Sequence, residues 1–294
     1  MGFRLAQEFG LAHETFCQAD QILGFKLSEI CWNGPIEKLN DTYYTQPALL
    51  THSIAAWRVF RALFQHLTPR FIAGHSMGEI TALVASTAIS FEDGLLLAHH
   101  RGRLMKESGE QNPGGMAAIL GLDSKNLNDI CSQVVDQGEI VQVANDNCPG
   151  QVVISGSNQG VTKASELARS KGAKKVIRLA VSIAAHSKLM APVQEEFSQI
   201  VDQINIQDPQ IPIVGNVCHT AMSSKEQLKA DVKAQLTSPV FWTDSVRYMI
   251  ENGVKCFIEF GSGSVLSGLI KRIDPHVHCY SLGEPEDFTN FPAV

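Results

Sequence analysis

The chain has 294 residues, with 24 Lys and Arg against 30 Asp and Glu, a formal net charge of −6 and 44% apolar residues. This is globular composition, long enough for one large domain or a large domain with a smaller insert. The acidic balance excludes nucleic-acid or membrane-surface binding by bulk charge, so any acidic partner must meet a local basic patch. Seven scattered cysteines with no Cys-x-x-Cys pair read as reduced thiols, not as a disulfide frame or a zinc site. No targeting signal is visible at the N-terminus, and the longest apolar stretch, Ile80 to Ile89, is too short to span a bilayer. A soluble, cytoplasmic protein is expected.

Leu5 to Leu23 and Gln46 to Leu67 repeat apolar residues with helical spacing, Pro47 standing near the start of the second. Phe71-Ile72-Ala73 is a short apolar run that stops at Gly74, and Glu79 to Ala88 reads as a buried helix. Phe91 to Lys106 is a third helix, with Asp93 near its start and Arg101, Arg103 and Lys106 near its end, as the macrodipole favours. Asn112-Pro113-Gly114-Gly115 then breaks the pattern. After it come strand Met116 to Leu120, helix Ser124 to Val135, strands Ile140 to Ala144 and Gln151 to Ser155, helix Asn158 to Lys171 and strand Lys175 to Ala180. That β-α-β-β-α-β order is the ferredoxin-like arrangement, so residues 116–183 are expected to form a small inserted domain.

The large α/β domain, residues 1–115 and 184–294, resumes with a helix after His186. Ile211 to Val217, a helix near Ser238 to Asn252 and the strand Lys255 to Phe260 follow, and Gly261-Ser262-Gly263 opens a last helix. Strands alternating with helices on both sides of the insert imply a mostly parallel sheet.

Gly74-His75-Ser76-Met77-Gly78 matches G-x-S-x-G, with a strand before it and an apolar helix after it. Such a turn strains the serine and projects its hydroxyl into a cleft, and the helix start offers free N–H groups, that of Met77 included, to a developing oxyanion. Flanking glycines are expected because side chains there would collide with backbone. The competing reading is a glycine-rich strand–helix turn with an incidental serine. A nucleophilic serine needs a base, and ten histidines are available. His99 and His100 sit mid-helix, His276 and His278 lie near a polar C-terminus, and His75 neighbours the nucleophile on a tight turn. Composition alone leaves the base open.

The longer string Gly74 to Glu79 resembles the signature of malonyl-CoA:acyl carrier protein transacylases. So do Thr45 to Leu50, Arg101 to Met105, Asn147 to Gly156, Val181 to His186, Ser238 to Thr243 and Gly261 to Ile273, and the likeness covers nearly the whole chain. The resemblance implies an α/β-hydrolase-like large domain with the ferredoxin-like insert. It selects His186 as base, preceded by Ala185 where the family usually has a serine-like residue. It implies that a main-chain carbonyl in the segment Pro239 to Trp242 orients the histidine, which points to Phe241, where the family usually has Gln. It makes Arg101 the partner of the malonyl carboxylate, a charge costly to bury without a fixed cation, and leaves Arg103 solvated. Trp242 is expected to be core.

The implied reaction is ping-pong transfer of malonyl from malonyl-CoA to the phosphopantetheine thiol of acyl carrier protein, with no metal or redox cofactor. A monomer is expected, and the free-standing length leans to fatty acid rather than polyketide synthesis. Family members begin with a strand and a Gly-Gln-Gly-Ser-Gln loop, and Met1-Gly2 matches the residues just after it. The chain is therefore expected to lack one strand and one oxyanion donor. An acyl hydrolase of the same fold and a catalytically silent carrier-binding relative stand as alternatives. Lys171, Lys174, Lys175 and Arg178, with Lys188, Lys271 and Arg272, are candidates for a basic docking rim.

Overall fold

The computed structural model describes residues 1–292. Helices dominate the large part. The first expected helix is two, Phe3–Glu8 and Gly10–Leu23, because Phe9 between them adopts an extended backbone. Thr42–Leu63, capped by the Asp41 side chain, runs beside Phe91–Gln111, capped by Ser90. The two approach so closely at Gly102 that a Cβ there would lie 2.3 Å from the Thr42 carbonyl oxygen. Leu50, Ile54, Phe60, Leu83, Leu95 and Phe197 are fully buried in the resulting core. Lys225–Ala234 is a further helix that apolar periodicity alone did not reveal. Its signal is a capping box between Ser224 and Gln227 ahead of a thin buried stripe of Leu228, Asp231 and Val232.

The strands depart from expectation. Instead of one mostly parallel sheet, the large part carries two short ones. Ile72–Ala73 pairs in parallel with Ile213–Val214, which pairs antiparallel with Ala221–Met222. Cys256–Phe260 pairs in parallel with His278–Leu282, a strand in a segment expected to be polar C-terminus. A cavity of about 720 Å³ lies between the two sheets, bordered by Ile72 and Ala73 on one side and by Phe257, Ile258 and Phe260 on the other. It also reaches Gly74, His75, Met77 and Gly78.

Residues 114–178 form a separate antiparallel sheet in the order 141–148, 151–157, 114–120, 175–178, with helices Ser124–Val135 and Asn158–Ser170. Ala117, Ile119, Val143 and Ile154 face these helices, while Met116, Ala118, Ala144 and Val153 form a second cluster on the opposite face. Both faces are covered over the three strands 114–120, 141–148 and 151–157, which are almost continuously buried where an exposed sheet would alternate, while the edge strand 175–178 is largely exposed. Register shifts between Val143 and Asn145 and between Asp146 and Cys148 kink the strand that reaches the large part. There Val240 donates to the Ala144 carbonyl, and Asp146 donates to that of Val240. Among the described residues no helix is long and apolar enough to cross a membrane, and all seven cysteines are free thiols.

Candidate active site

Ile72–Ala73 delivers the chain into Gly74-His75-Ser76-Met77, and helix Gly78–Ala85 starts at once. Ser76 has φ of 53°, the left-handed region that costs a side-chain-bearing residue about 1–3 kcal/mol and persists only where its surroundings hold it. Gly74 is required sterically: a Cβ there would sit 2.0 Å from the Gly78 carbonyl oxygen. Gly78 is not, since its Cβ would meet nothing within 4 Å. The collision expected on both sides of the serine therefore exists on one. Gly78 N–H donates to the His75 carbonyl and Glu79 N–H to that of Ser76, whereas no acceptor among the described residues takes the Met77 N–H.

Ser76 and His186, 110 residues apart in sequence, are joined at 2.8 Å between Oγ and Nε2. His186 itself is buried and has a positive φ of 57°. Its Nδ1 lies 2.9 Å from the Gln235 carbonyl and 3.2 Å from that of Ser238. Carbonyl oxygens only accept, so Nδ1 carries the hydrogen and the Nε2 lone pair faces the Ser76 hydroxyl. The orienting group is thus a main-chain carbonyl, but not that of Phe241. Phe241 caps the helix Trp242–Glu251, its carbonyl accepting from the Ser245 N–H and hydroxyl. The Val240 carbonyl is taken by the Asp146 N–H and that of Phe241 by the first turn of the helix, whereas those of Gln235 and Ser238 face His186. Gln142 of the antiparallel sheet donates to the His186 and Thr237 carbonyls, tying that sheet to the histidine loop. Burial, then the nearby Arg101 cation, push the His186 imidazole down to about 3. His186 is neutral near pH 7.

Arg101 is 1% exposed. Its Nη1 donates to Gln46 Oε1 at 2.8 Å and its Nη2 to Ser76 Oγ at 3.1 Å. Among the described residues no carboxylate pairs with it and its Nε has no acceptor, so it is a buried cation without an anion of its own. Burial lowers its value to about 10, which leaves it charged near neutrality. Arg103, expected to be solvated, lies part-exposed at the surface, where it pairs with the exposed Glu107 and Glu196. Trp242 is buried and meets His75 edge to face, and His75 Nε2 lies 2.8 Å from Asn147 Oδ1.

The structure therefore brings Ser76, Met77, Arg101 and His186 together and places Phe241 elsewhere. Sequence reasoning missed Gln235 and Asn216, the latter accepting the Ser76 N–H at 2.7 Å. It assigned no role to Gln46 or Asn147, although both lie inside motifs it singled out.

Known proteins share this arrangement of chain. The acyl transferase domain family matches residues 1–274. The malonyl CoA-acyl carrier protein transacylase of Bacillus subtilis (strain 168) is 43% identical over 286 residues, covering 97% of this chain and 90% of that protein. An acyl carrier protein S-malonyltransferase from Vibrio cholerae superposes with a TM-score of 0.95 at 37% identity, over 98% of this chain and 94% of its own. A malonyl-transacylase solved in complex with a type II PKS acyl-carrier protein superposes with a TM-score of 0.93 at 37% identity, over 97% and 92%. With a serine joined to a buried histidine on a shared mixed α/β architecture and a match over nearly its whole length, the chain belongs to the acyl transferase family, among the malonyl-CoA:acyl carrier protein transacylases.

Proposed function

We propose that this protein moves a malonyl group from malonyl-CoA to the phosphopantetheine thiol of acyl carrier protein through an ester on Ser76. The observation that carries the reading is a serine hydroxyl held between a neutral histidine and a buried arginine that has no anion. His186 Nε2 takes the Ser76 proton as Oγ attacks the thioester carbonyl, and the Met77 N–H donates to the oxyanion. The carbon–sulfur bond breaks and coenzyme A leaves as a thiol with the proton from His186. The carrier thiol then gives its proton to His186, attacks the ester, and Ser76 leaves with that proton.

Arg101 pairs with the malonyl carboxylate, and the pairing has a second effect. Burial is the larger cause of the low His186 value, and a negative charge beside Arg101 offsets the second, so bound malonyl raises the basicity of its own base part of the way. The Gln235 and Ser238 carbonyls stabilise the imidazolium without a triad acid. The reading needs no metal or redox cofactor, since both acyl carriers arrive as substrate and partner. It places the enzyme in the cytoplasm. We classify residues 1–115 and 184–294 as an α/β-hydrolase-like domain and residues 116–183 as a ferredoxin-like insert, whose strand order matches that class.

Intact mass after mixing with malonyl-CoA is expected to show one malonyl per chain, on the peptide containing Ser76. Adding carrier protein with its thiol arm should discharge the ester faster than water does. An adduct on a cysteine would remove Ser76 from the mechanism, and discharge no faster than hydrolysis would make the protein an acyl hydrolase.

A further inference from the structure

Beneath the Ser76 turn lie four polar side chains that the transfer chemistry does not touch: Glu79, Asn216, Asp231 and Gln235, each 5% exposed or less. Asn216 grips the turn at two points, accepting from the Ser76 N–H at 2.7 Å and donating to the Gly74 carbonyl at 2.7 Å. Gln235 Nε2 donates to the Ser76 carbonyl at 3.0 Å and also to Glu79 Oε2, while its own carbonyl accepts from His186. Both members of the serine–histidine pair thus hang on these residues.

Asn216 is in turn held by two carboxyl groups that converge on its backbone N–H. Asp231 Oδ2 is 3.0 Å away and Glu79 Oε1 3.3 Å. Two carboxylates sharing one N–H in a dry site cannot both be charged. Asp231 also accepts from the Val217 N–H at 3.1 Å and the Cys218 N–H at 2.7 Å, three backbone donors in all. Glu79 has fewer donors and no solvent.

We propose that Glu79 and Asp231 share one proton, carried on Glu79, and that this acid pair positions Ser76 and His186 together by holding Asn216 and Gln235. The inference rests on the Ser76 reading above. Burial and the Asp231 charge both push the Glu79 carboxyl well above the usual carboxylate range. The Gln235 side-chain amide and the Asn216 N–H oppose them, and Arg101, on helix Phe91–Gln111, is the nearby cation that couples to the same carboxyl. The Cys218 thiol beside Asp231 is raised by burial, and His186 is neutral. As pH climbs through the Glu79 value the shared proton is lost and the two carboxylates converging on the Asn216 N–H are both anions. The Asn216 loop then loses its anchor and the serine its alignment.

The test is single-turnover malonylation by quenched intact mass from about pH 6 to 10, in the parent, Glu79→Gln, Glu79→Ala and Asp231→Asn. The parent rate should fall on the alkaline side. Glu79→Gln, which cannot ionise and can donate to Asp231 through its amide, should lose that alkaline limb and stay within about tenfold of the parent at neutral pH. Asp231→Asn, in which an ionised Glu79 faces no second anion, should lose the limb as well. Glu79→Ala should be slower by about a hundredfold at all pH values, the scale of a 1 Å misplacement, with KM near that of the parent. A protonated-carboxyl infrared band present in the parent at neutral pH should vanish in Glu79→Gln. An unchanged alkaline limb in Glu79→Gln, or no such band, overturns the proposal. Should Glu79→Ala not fold, the glutamine and asparagine variants and the infrared arm still decide it. An adduct persisting in Ser76→Ala would overturn the Ser76 reading instead, and the infrared band would then judge the shared proton alone.

Discussion

Ser76→Ala is expected to abolish the malonyl adduct, and His186→Ala to slow its formation by about two to four orders of magnitude, the range of a positioned general base. The two variants differ because the serine supplies the bond that forms, whereas water can replace the histidine poorly. The pH profile of the parent adds a second check. His186 must be neutral to accept the proton, and burial with Arg101 holds it near 3. The acid limb of the free-enzyme profile should therefore lie well below the ordinary histidine value of about 6.5, with activity lost as pH falls. An acid limb at the ordinary value would mean that the imidazole is solvated and that the 2.8 Å contact to Ser76 does not describe the working enzyme.

Arg101→Ala is expected to lower malonyl transfer by roughly two to four orders of magnitude, the equivalent of about 3–5 kcal/mol for breaking a buried pair. The substrate carboxylate would be left desolvated in a site where only Gln46 and the Ser76 hydroxyl now meet the guanidinium. Acetyl-CoA has no carboxylate to strand. It would also meet a His186 freed of the neighbouring cation and hence more basic, so its transfer should hold steady or rise. The measurement is the ratio of malonyl to acetyl transfer in the parent and the variant. An unchanged ratio with both rates reduced would assign Arg101 a structural role and sink its pairing with malonyl, leaving the serine–histidine chemistry in place.

The elbow was legible from five residues because its constraints are local: a glycine that must pass a carbonyl, a strained serine and a helix beginning two residues on. Helix Ser124–Val135 matched its expected bounds, since Asp123 caps it and its buried residues repeat at helical spacing. His186 could be selected only through resemblance, because nothing within the histidine's own neighbourhood says which carbonyl or hydroxyl will fold against it. The carbonyls of Gln235 and Ser238 left no trace at all. A main-chain acceptor imposes no side chain, so the motif around Pro239 drew attention to Phe241 instead. Asn216 was hidden for a related reason: a single amide in a loop after a two-residue strand has no periodicity. The divided sheet escaped notice because Ile72–Ala73 and Ile213–Val214 are too short to express one, and apolar runs do not reveal which edges pair.

The cavity between the sheets gives the strand Cys256–Phe260 two unlike edges. His278 donates to the Lys255 carbonyl and Gly261 donates to that of Leu282, so odd-numbered residues turn their amides toward the strand His278–Leu282. Alternation along a strand then turns the amides of Cys256, Ile258 and Phe260 toward the cavity. Hydrogen exchange should divide this one strand by parity, with Phe257 and Glu259 slow and Ile258 and Phe260 fast. The same cavity borders Met77 and Gly78. The nucleophile turn is thus braced on its Asn216 side and open on the other, and its softest direction of movement points between the sheets.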